Sequence, residues 1–185
     1  METLPGAPRV VVIGTSSAGK TRFARTLARG LSVPYVELDE LHWAPHWTEK
    51  SDAEFSRLVA SAISGSAWVA DGNYGVVRDV VWPRANVVVW LNYSFAVVFW
   101  RGLRRSIERG VSRTELSHGN RESFRRAFLS KESILLWILT TFSRRRLEFA
   151  DLQKSVKYAH LKWIEFRRPS EASRWLSALG VSRDA

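Results

Sequence analysis

The chain contains no cysteine, which excludes disulfides, thiolate metal sites and cysteine nucleophiles together. Long hydrophobic runs are missing as well. The longest apolar stretch covers residues 87–100 and is interrupted by Asn92, Tyr93 and Ser94. A membrane-spanning helix needs about 20 apolar residues, so no membrane partner is expected. Residues 1–8 lack the basic-then-apolar order of a secretory leader, and a cytoplasmic protein is expected. No internal repeat, low-complexity tract or break in composition divides the 185 residues. One domain over 1–185 follows, as a monomer or a weak dimer. The guanine-reading N-K-x-D pattern is absent, which argues against a GTPase switch.

Acidic charge is scarce in one half only. Residues 1–100 carry nine Lys/Arg and nine Asp/Glu, so the whole net charge of +10 falls in residues 101–185. Within 101–146 there are twelve basic residues, eleven of them Arg, against four acidic ones. A guanidinium grips phosphate oxygens with a planar fork of donors that Lys lacks. This half therefore reads as a second phosphate-directed surface, with a solvated helix face or a nucleic-acid patch as alternatives.

What the chain does possess is the run Gly14-Thr15-Ser16-Ser17-Ala18-Gly19-Lys20-Thr21, a full match to G-x-x-x-x-G-K-[ST]. An apolar run (9–13) precedes it and a helical pattern (19–29) follows. That context places a glycine-permitted turn at a helix N-terminus, where free N–H groups face an anion. Lys20 then reaches β/γ-phosphates and the Thr21 hydroxyl binds Mg2+. A nucleoside triphosphate is the expected ligand.

Strands are expected at 9–13, 34–38, 67–70, 86–91 and 161–166. Helices are expected at 19–29, 52–64, 94–109, 121–152 and 170–179. Ser51 and Asp52 start one helix, Ser170 and Glu171 another, and Gly30 and Gly180 each stop one. This alternation is the signature of an α/β fold with a parallel sheet. Residues 41–50 read as a loop at the carboxyl end of the second strand, where a second substrate is bound in such sheets. Residues 110–120 read as a polar connection containing Gly110 and Gly119, between two Arg-rich helices.

Phosphoryl transfer requires a metal, donors for the moving charge and an aligned nucleophile. Asp71 ends the apolar run Trp68-Val69-Ala70 and is the acid expected beside Mg2+. Gly72 after it is expected to leave backbone space for phosphates. Asp39 closes the second strand, where it orients or deprotonates an acceptor hydroxyl, and His42 donates to the same acceptor. Trp43, Trp47 and Tyr74 supply flat walls for a planar substrate, or belong to the core, since nine tryptophans cannot all be functional. Arg101, Arg105 and Arg109 share one helix face. Glu108 relieves Arg104 or Arg105 and leaves Arg101 for a triphosphate to neutralise.

The phosphate loop, the segment Leu38-Asp39-Glu40-Leu41-His42-Trp43 with Pro45 and Trp47, and Trp68-Val69-Ala70-Asp71-Gly72-Asn73-Tyr74 together resemble one group. It is the adenylate-kinase-like P-loop proteins of the topology modulation group, and the resemblance extends over nearly the whole chain. It implies a P-loop NTPase fold of the nucleoside-monophosphate-kinase type. Its sheet would have five parallel strands in the order 2-3-1-4-5, with an Arg-rich helical lid near 101–146. It also implies ATP and Mg2+ as cofactors, with Lys20 on phosphate, Thr21 and Asp71 on the metal, and Arg101 and Arg105 at the lid base. Asp39, His42, Trp43, Asn73 and Tyr74 fall on the acceptor side. The monophosphate kinases follow Asp-Gly with Phe-Pro-Arg, whereas this chain has Asn73-Tyr74-Gly75. Gluconate and shikimate kinases are thus comparably good models for the acceptor. The expected activity is an ATP-dependent phosphotransferase with an unidentified acceptor. The alternative is a nucleotide-dependent regulator or nucleic-acid-binding protein that uses the basic half.

Overall fold

Val10, Val11, Val12 and Ile13 are all buried, as are Val87, Val88, Val89, Trp90 and Leu91. Strands apolar on both faces belong at the centre of a parallel sheet covered by helices on each side. The computed structural model describes residues 4–45, 48–112 and 134–181. Its elements in chain order are β1 (Arg9–Gly14), α1 (Lys20–Leu31), β2 (Tyr35–Glu37), α2 (Leu38–His42), β3 (Trp43–Ala44) and β4 (Thr48–Glu49). They continue with α3 (Asp52–Ala62), β5 (Trp68–Asp71), α4 (Arg78–Val81), β6 (Val87–Leu91) and α5 (Phe95–Ser112). The chain then forms α6 (Ile134–Lys154), a 3-10 turn (Val156–Tyr158), β7 (Lys162–Phe166) and α7 (Pro169–Ala178).

The main sheet has the order β2-β5-β1-β6-β7, and every pairing in it is parallel. Counting only these five strands, the order is the expected 2-3-1-4-5. Val10, Val12, Leu27 and Trp175 pack on one face, and Val11, Ile13, Phe55, Val81 and Phe149 on the other. Among the tryptophans, Trp68, Trp82, Trp90 and Trp175 are buried and serve this core.

Several local expectations are corrected. Gly30 does not stop α1, which runs on to Leu31 and ends at Ser32 in the left-handed region. A Cβ at Gly30 would sit 2.1 Å from a Val181 methyl, so this glycine admits the returning C-terminal segment. Residues 41–50 are not an open loop. Leu38–His42 form a short helix, and Trp43–Ala44 pair antiparallel with Thr48–Glu49. Lys50 donates to the carbonyls of Leu41 and Trp43 at 3.0 Å, which ties this hairpin to the helix.

Ser51 caps α3 as expected, accepting from the Glu54 amide. Gly180 follows α7 at φ +75°. In α7 the Glu171 carboxylate accepts from the amides of Arg167 and Arg168, so the helix begins at Pro169. The expected 110–120 connection begins inside α5, which continues to Ser112. The remainder of that connection with Gly119, the first part of the expected 121–152 helix, and Trp47 lie outside the described residues.

Candidate active site

β1 delivers the chain to the turn at 15–19 at the carboxyl end of the sheet. Gly19 stands before α1 at φ +92°, a conformation that costs a glycine little and disfavours other residues. No side chain caps this helix and no acid occupies its first turn. Its leading N–H groups and positive dipole end are therefore left for an anion. The hydroxyls of Thr15 and Ser17 are buried without a hydrogen-bond partner among the described residues. Buried polar atoms are almost always satisfied, and a bound phosphate would satisfy these. Ser17 itself sits at φ +63°.

Beneath the loop, the Thr21 hydroxyl donates to Asp71 Oδ2 at 2.9 Å. Donation in that direction leaves the Thr21 lone pairs for a cation. Asp71 ends β5 only 3% exposed. The Tyr35 hydroxyl donates to its other oxygen, Oδ1, at 2.7 Å. Burial pushes the Asp71 carboxyl up, while Tyr35, the Lys20 charge and Thr21 oppose that rise. Among the described residues no three His, Cys, Asp or Glu side chains cluster as a metal cage. One hydroxyl and one carboxylate next to a phosphate cradle suit Mg2+, which keeps several waters and takes other ligands from phosphate. The residues fit that ion.

Lys20 folds back over the loop and donates to the Thr15 carbonyl at 3.3 Å. Burial lowers its pKa, Asp39 and Asp71 raise it, and Arg105 and Arg145 lower it. Three residues expected from sequence to act with Lys20, namely Asp39, Asp71 and Arg105, are thus within electrostatic reach of its ammonium. Arg145, on α6, joins them without having been foreseen.

Two clefts flank the loop. One, of about 580 Å³, is lined by Lys20, Thr21, Arg25, Arg29, Asp39 and Arg105. The other, of about 320 Å³, lies between Gly19, Tyr93, Arg101, Arg105, Pro169 and Ser173. Arg105 borders both. Arg101 meets neutral partners. It donates to the Ala18 carbonyl at 2.7 Å, and its guanidinium lies 5.2 Å from the Tyr93 ring centre. Glu108 pairs with Arg104 at 2.6 Å, both exposed to solvent.

On the acceptor side, Asp39 occupies the first turn of α2 rather than the end of β2. Leu38 before it is buried against Gly72, which turns the chain into the helix. Gly72 was expected to clear space for phosphates. Its vacant Cβ position is instead filled by Leu38, 2.7 Å away, at a backbone φ of +146°. The Tyr74 hydroxyl lies within electrostatic reach of Asp39. Burial, first, and then the Asp39 charge push its pKa up. His42 is 8% exposed, with ring centres of Tyr74, Phe55 and Trp43 at 4.6, 4.8 and 4.9 Å. Its Nδ1 is buried with no partner among the described residues. Asn73 donates its amide to the Gly14 carbonyl, so one end of this side chain braces the phosphate loop. Its Oδ1 has no partner among the described residues.

Tyr35, Glu37 and Arg145 escaped the sequence reading. The one signal for the first two is alternation in β2: Val36 is buried, and the polar pair on either side of it is half-buried.

No family model matches the chain. The shikimate kinase of Cereibacter sphaeroides is 30% identical over 125 residues, covering 57% of this chain and 60% of the relative. The match therefore spans about 60% of that relative's length. Among solved structures, a gluconokinase from Sinorhizobium meliloti 1021 aligns with TM-score 0.50 and 17% identity, over 97% of this chain and 94% of that one. A shikimate kinase from Bacteroides thetaiotaomicron aligns with TM-score 0.50 and 17% identity, over 94% and 98%. The shikimate kinase of Acinetobacter baumannii, solved in complex with shikimate, aligns with TM-score 0.51 and 17% identity, over 94% and 93%. At these identities the likeness concerns architecture. The chain has the α/β P-loop kinase fold.

Proposed function

We propose that this protein is an ATP- and Mg2+-dependent phosphotransferase acting on a small hydroxyl-bearing acceptor. The observation that carries this reading is the disposition of three groups around Lys20. The Thr21–Asp71 pair lies under the phosphate loop, Asp39 lies across the adjoining cleft, and the Lys20 ammonium interacts with both carboxylates. The partial match to a shikimate kinase supports a kinase and leaves the acceptor open. The D-x-L-H-W and D-G-N-Y segments keep the topology modulation group within this reading.

In this reading the loop amides of 15–19 and Lys20 hold the phosphate chain, with Arg105 above it. Mg2+, when bound beside Thr21 and Asp71, neutralises phosphate charge and aligns the transferred group. Asp39 accepts the proton of the acceptor hydroxyl, whose oxygen bonds to the γ-phosphorus as the bond to the bridging oxygen breaks. Tyr74 stands beside Asp39. His42, Trp43 and Tyr74 wall the acceptor side, and Asn73 braces the loop. Arg101 lines the cleft on the opposite side of the loop, beside Tyr93 and Pro169, where a base or sugar has room. The described elements form one kinase domain in this proposal, with α5 and α6 contributing to its lid; residues 113–133 of the expected 101–146 lid lie outside the described residues.

The nucleic-acid alternative is not favoured by the partial match to a shikimate kinase. Arg104, Arg145 and Arg167 pair with Glu108, Glu148 and Glu165, and Arg146 donates to Asn92 at 2.6 Å. No helix among the described residues is long and apolar enough to cross a membrane.

The test is ADP formation from ATP against a panel of hydroxy acids, sugars, polyols, nucleosides and nucleoside monophosphates. Acceptor-dependent ADP release that disappears in Asp39→Asn supports the proposal. Nucleotide-dependent DNA binding without any acceptor-stimulated turnover contradicts it.

A further inference from the structure

Asp71 is held from two sides. Thr21 on α1 takes Oδ2, and Tyr35 on β2 takes Oδ1. The parallel register sets Tyr35 opposite Val69 and Glu37 opposite Asp71. The phenol therefore lies two residues back along the sheet edge and reaches forward to the carboxylate. The ring is itself fixed. Arg25 lies 5.3 Å from its centre and pairs with Glu37 at 2.6 Å.

A carboxylate with one donor on each oxygen has its plane defined, whereas one donor leaves it free to rotate. At a site almost closed to solvent, losing one donor leaves an oxygen unsatisfied and favours a different orientation. Thr21 depends on that orientation, because its lone pairs face the cleft only while its proton points at Oδ2.

We propose that Tyr35 is a positioning residue, one that sets Asp71 and through it Thr21 for a divalent cation at the phosphate loop. This rests on the metal role proposed above for Thr21 and Asp71. It assigns to β2 a function distinct from the acceptor-side role of Asp39. The predicted substitution effect is on the linkage between metal and nucleotide, not on nucleotide affinity itself.

The experiment is calorimetric titration of ADP into wild type and Tyr35→Phe, each with Mg2+ and with EDTA. ADP avoids turnover, and phenylalanine keeps the ring that Arg25 covers. Wild type is expected to bind ADP more tightly with Mg2+. In Tyr35→Phe that gain should shrink by about tenfold, the loss expected for one hydrogen bond to a charged group. Affinity in EDTA should stay within about twofold, since only a packing defect would alter it. In an Asp71→Asn background, Tyr35→Phe should have no further effect on the gain, because it acts through that carboxylate.

An undiminished Mg2+ gain in Tyr35→Phe overturns the inference. Equal losses with and without Mg2+ overturn it too, since they mark a packing role. Additive effects in the double variant do the same. Wild type that gains nothing from Mg2+ instead overturns the metal assignment, and this inference with it.

Discussion

At the scale of the residue, the proposed function separates the site into groups assigned to phosphate and one assigned to the acceptor. Asp39 is exposed, lines the cleft and lies near Tyr74. Asp39→Asn keeps the shape and removes the base. It should lower acceptor-dependent turnover by at least about a hundredfold, the usual scale for general-base removal, with ATP affinity nearly unchanged. Steady-state kinetics alongside ATP-analogue binding checks this, and parallel loss of affinity would move Asp39 to the metal side. Asp71→Asn should lower Mg2+-dependent turnover by at least about tenfold, or ~1.4 kcal/mol, while nucleotide affinity in EDTA stays within about twofold. Kinetics at varied Mg2+ decides the matter.

The phosphate loop, Thr21 and Asp71 were readable from spacing because their chemistry depends on local order: strand, turn, helix, then acid at a strand end. Tyr35 and Arg145 were not. Tyr35 meets Asp71 across 36 positions, a contact created by strand pairing alone. A partner of Arg101 was hidden for a related reason. Helix spacing revealed its neighbours on α5 but not the Ala18 carbonyl, 83 positions away in sequence.

At the scale of the element, apolar runs identified all five strands of the main sheet within about two residues. Short or paired polar elements were harder. The α2 helix has five residues, and the β3–β4 hairpin two residues per strand. Neither is long enough to carry a period. Gly30 looked like a helix stop because the clash it avoids comes from Val181 at the far end of the chain. Gly30→Ala should therefore destabilise the fold by roughly 1–3 kcal/mol, the range for overpacking a tight contact. Denaturant unfolding measures it. An unchanged midpoint would mean the C-terminal segment yields freely.

The α4–α6 contact carries a pH signature. Burial pushes Glu148 up, but Arg78 and Arg145 more than offset it and hold the carboxyl below its ordinary value. A carboxyl depressed in the folded state contributes stability above its unfolded pKa, and that contribution is lost as pH falls through the folded value. Thermal unfolding of wild type should thus fall between about pH 5 and pH 3, and Glu148→Gln should flatten that fall. An identical slope in the variant would show that the pair contributes nothing.

At the scale of the whole molecule, a nearly neutral first half and a basic second half meet around one loop. The first half supplies the phosphate loop, the Thr21–Asp71 pair and the Asp39 side of the cleft. The second half supplies Arg101, Arg105 and Arg145, three guanidiniums around a single lysine and its cradle. Opposed halves of this kind suit a ligand carrying several negative charges, and the proposed function puts that ligand at the phosphate loop. The most direct measurement is calorimetric titration of a non-hydrolysable ATP analogue, with Mg2+, into wild type and Lys20→Ala. The account predicts one site in wild type and at least about a tenfold loss of affinity in the variant, with the same unfolding midpoint. Equal affinity in the two proteins would contradict it.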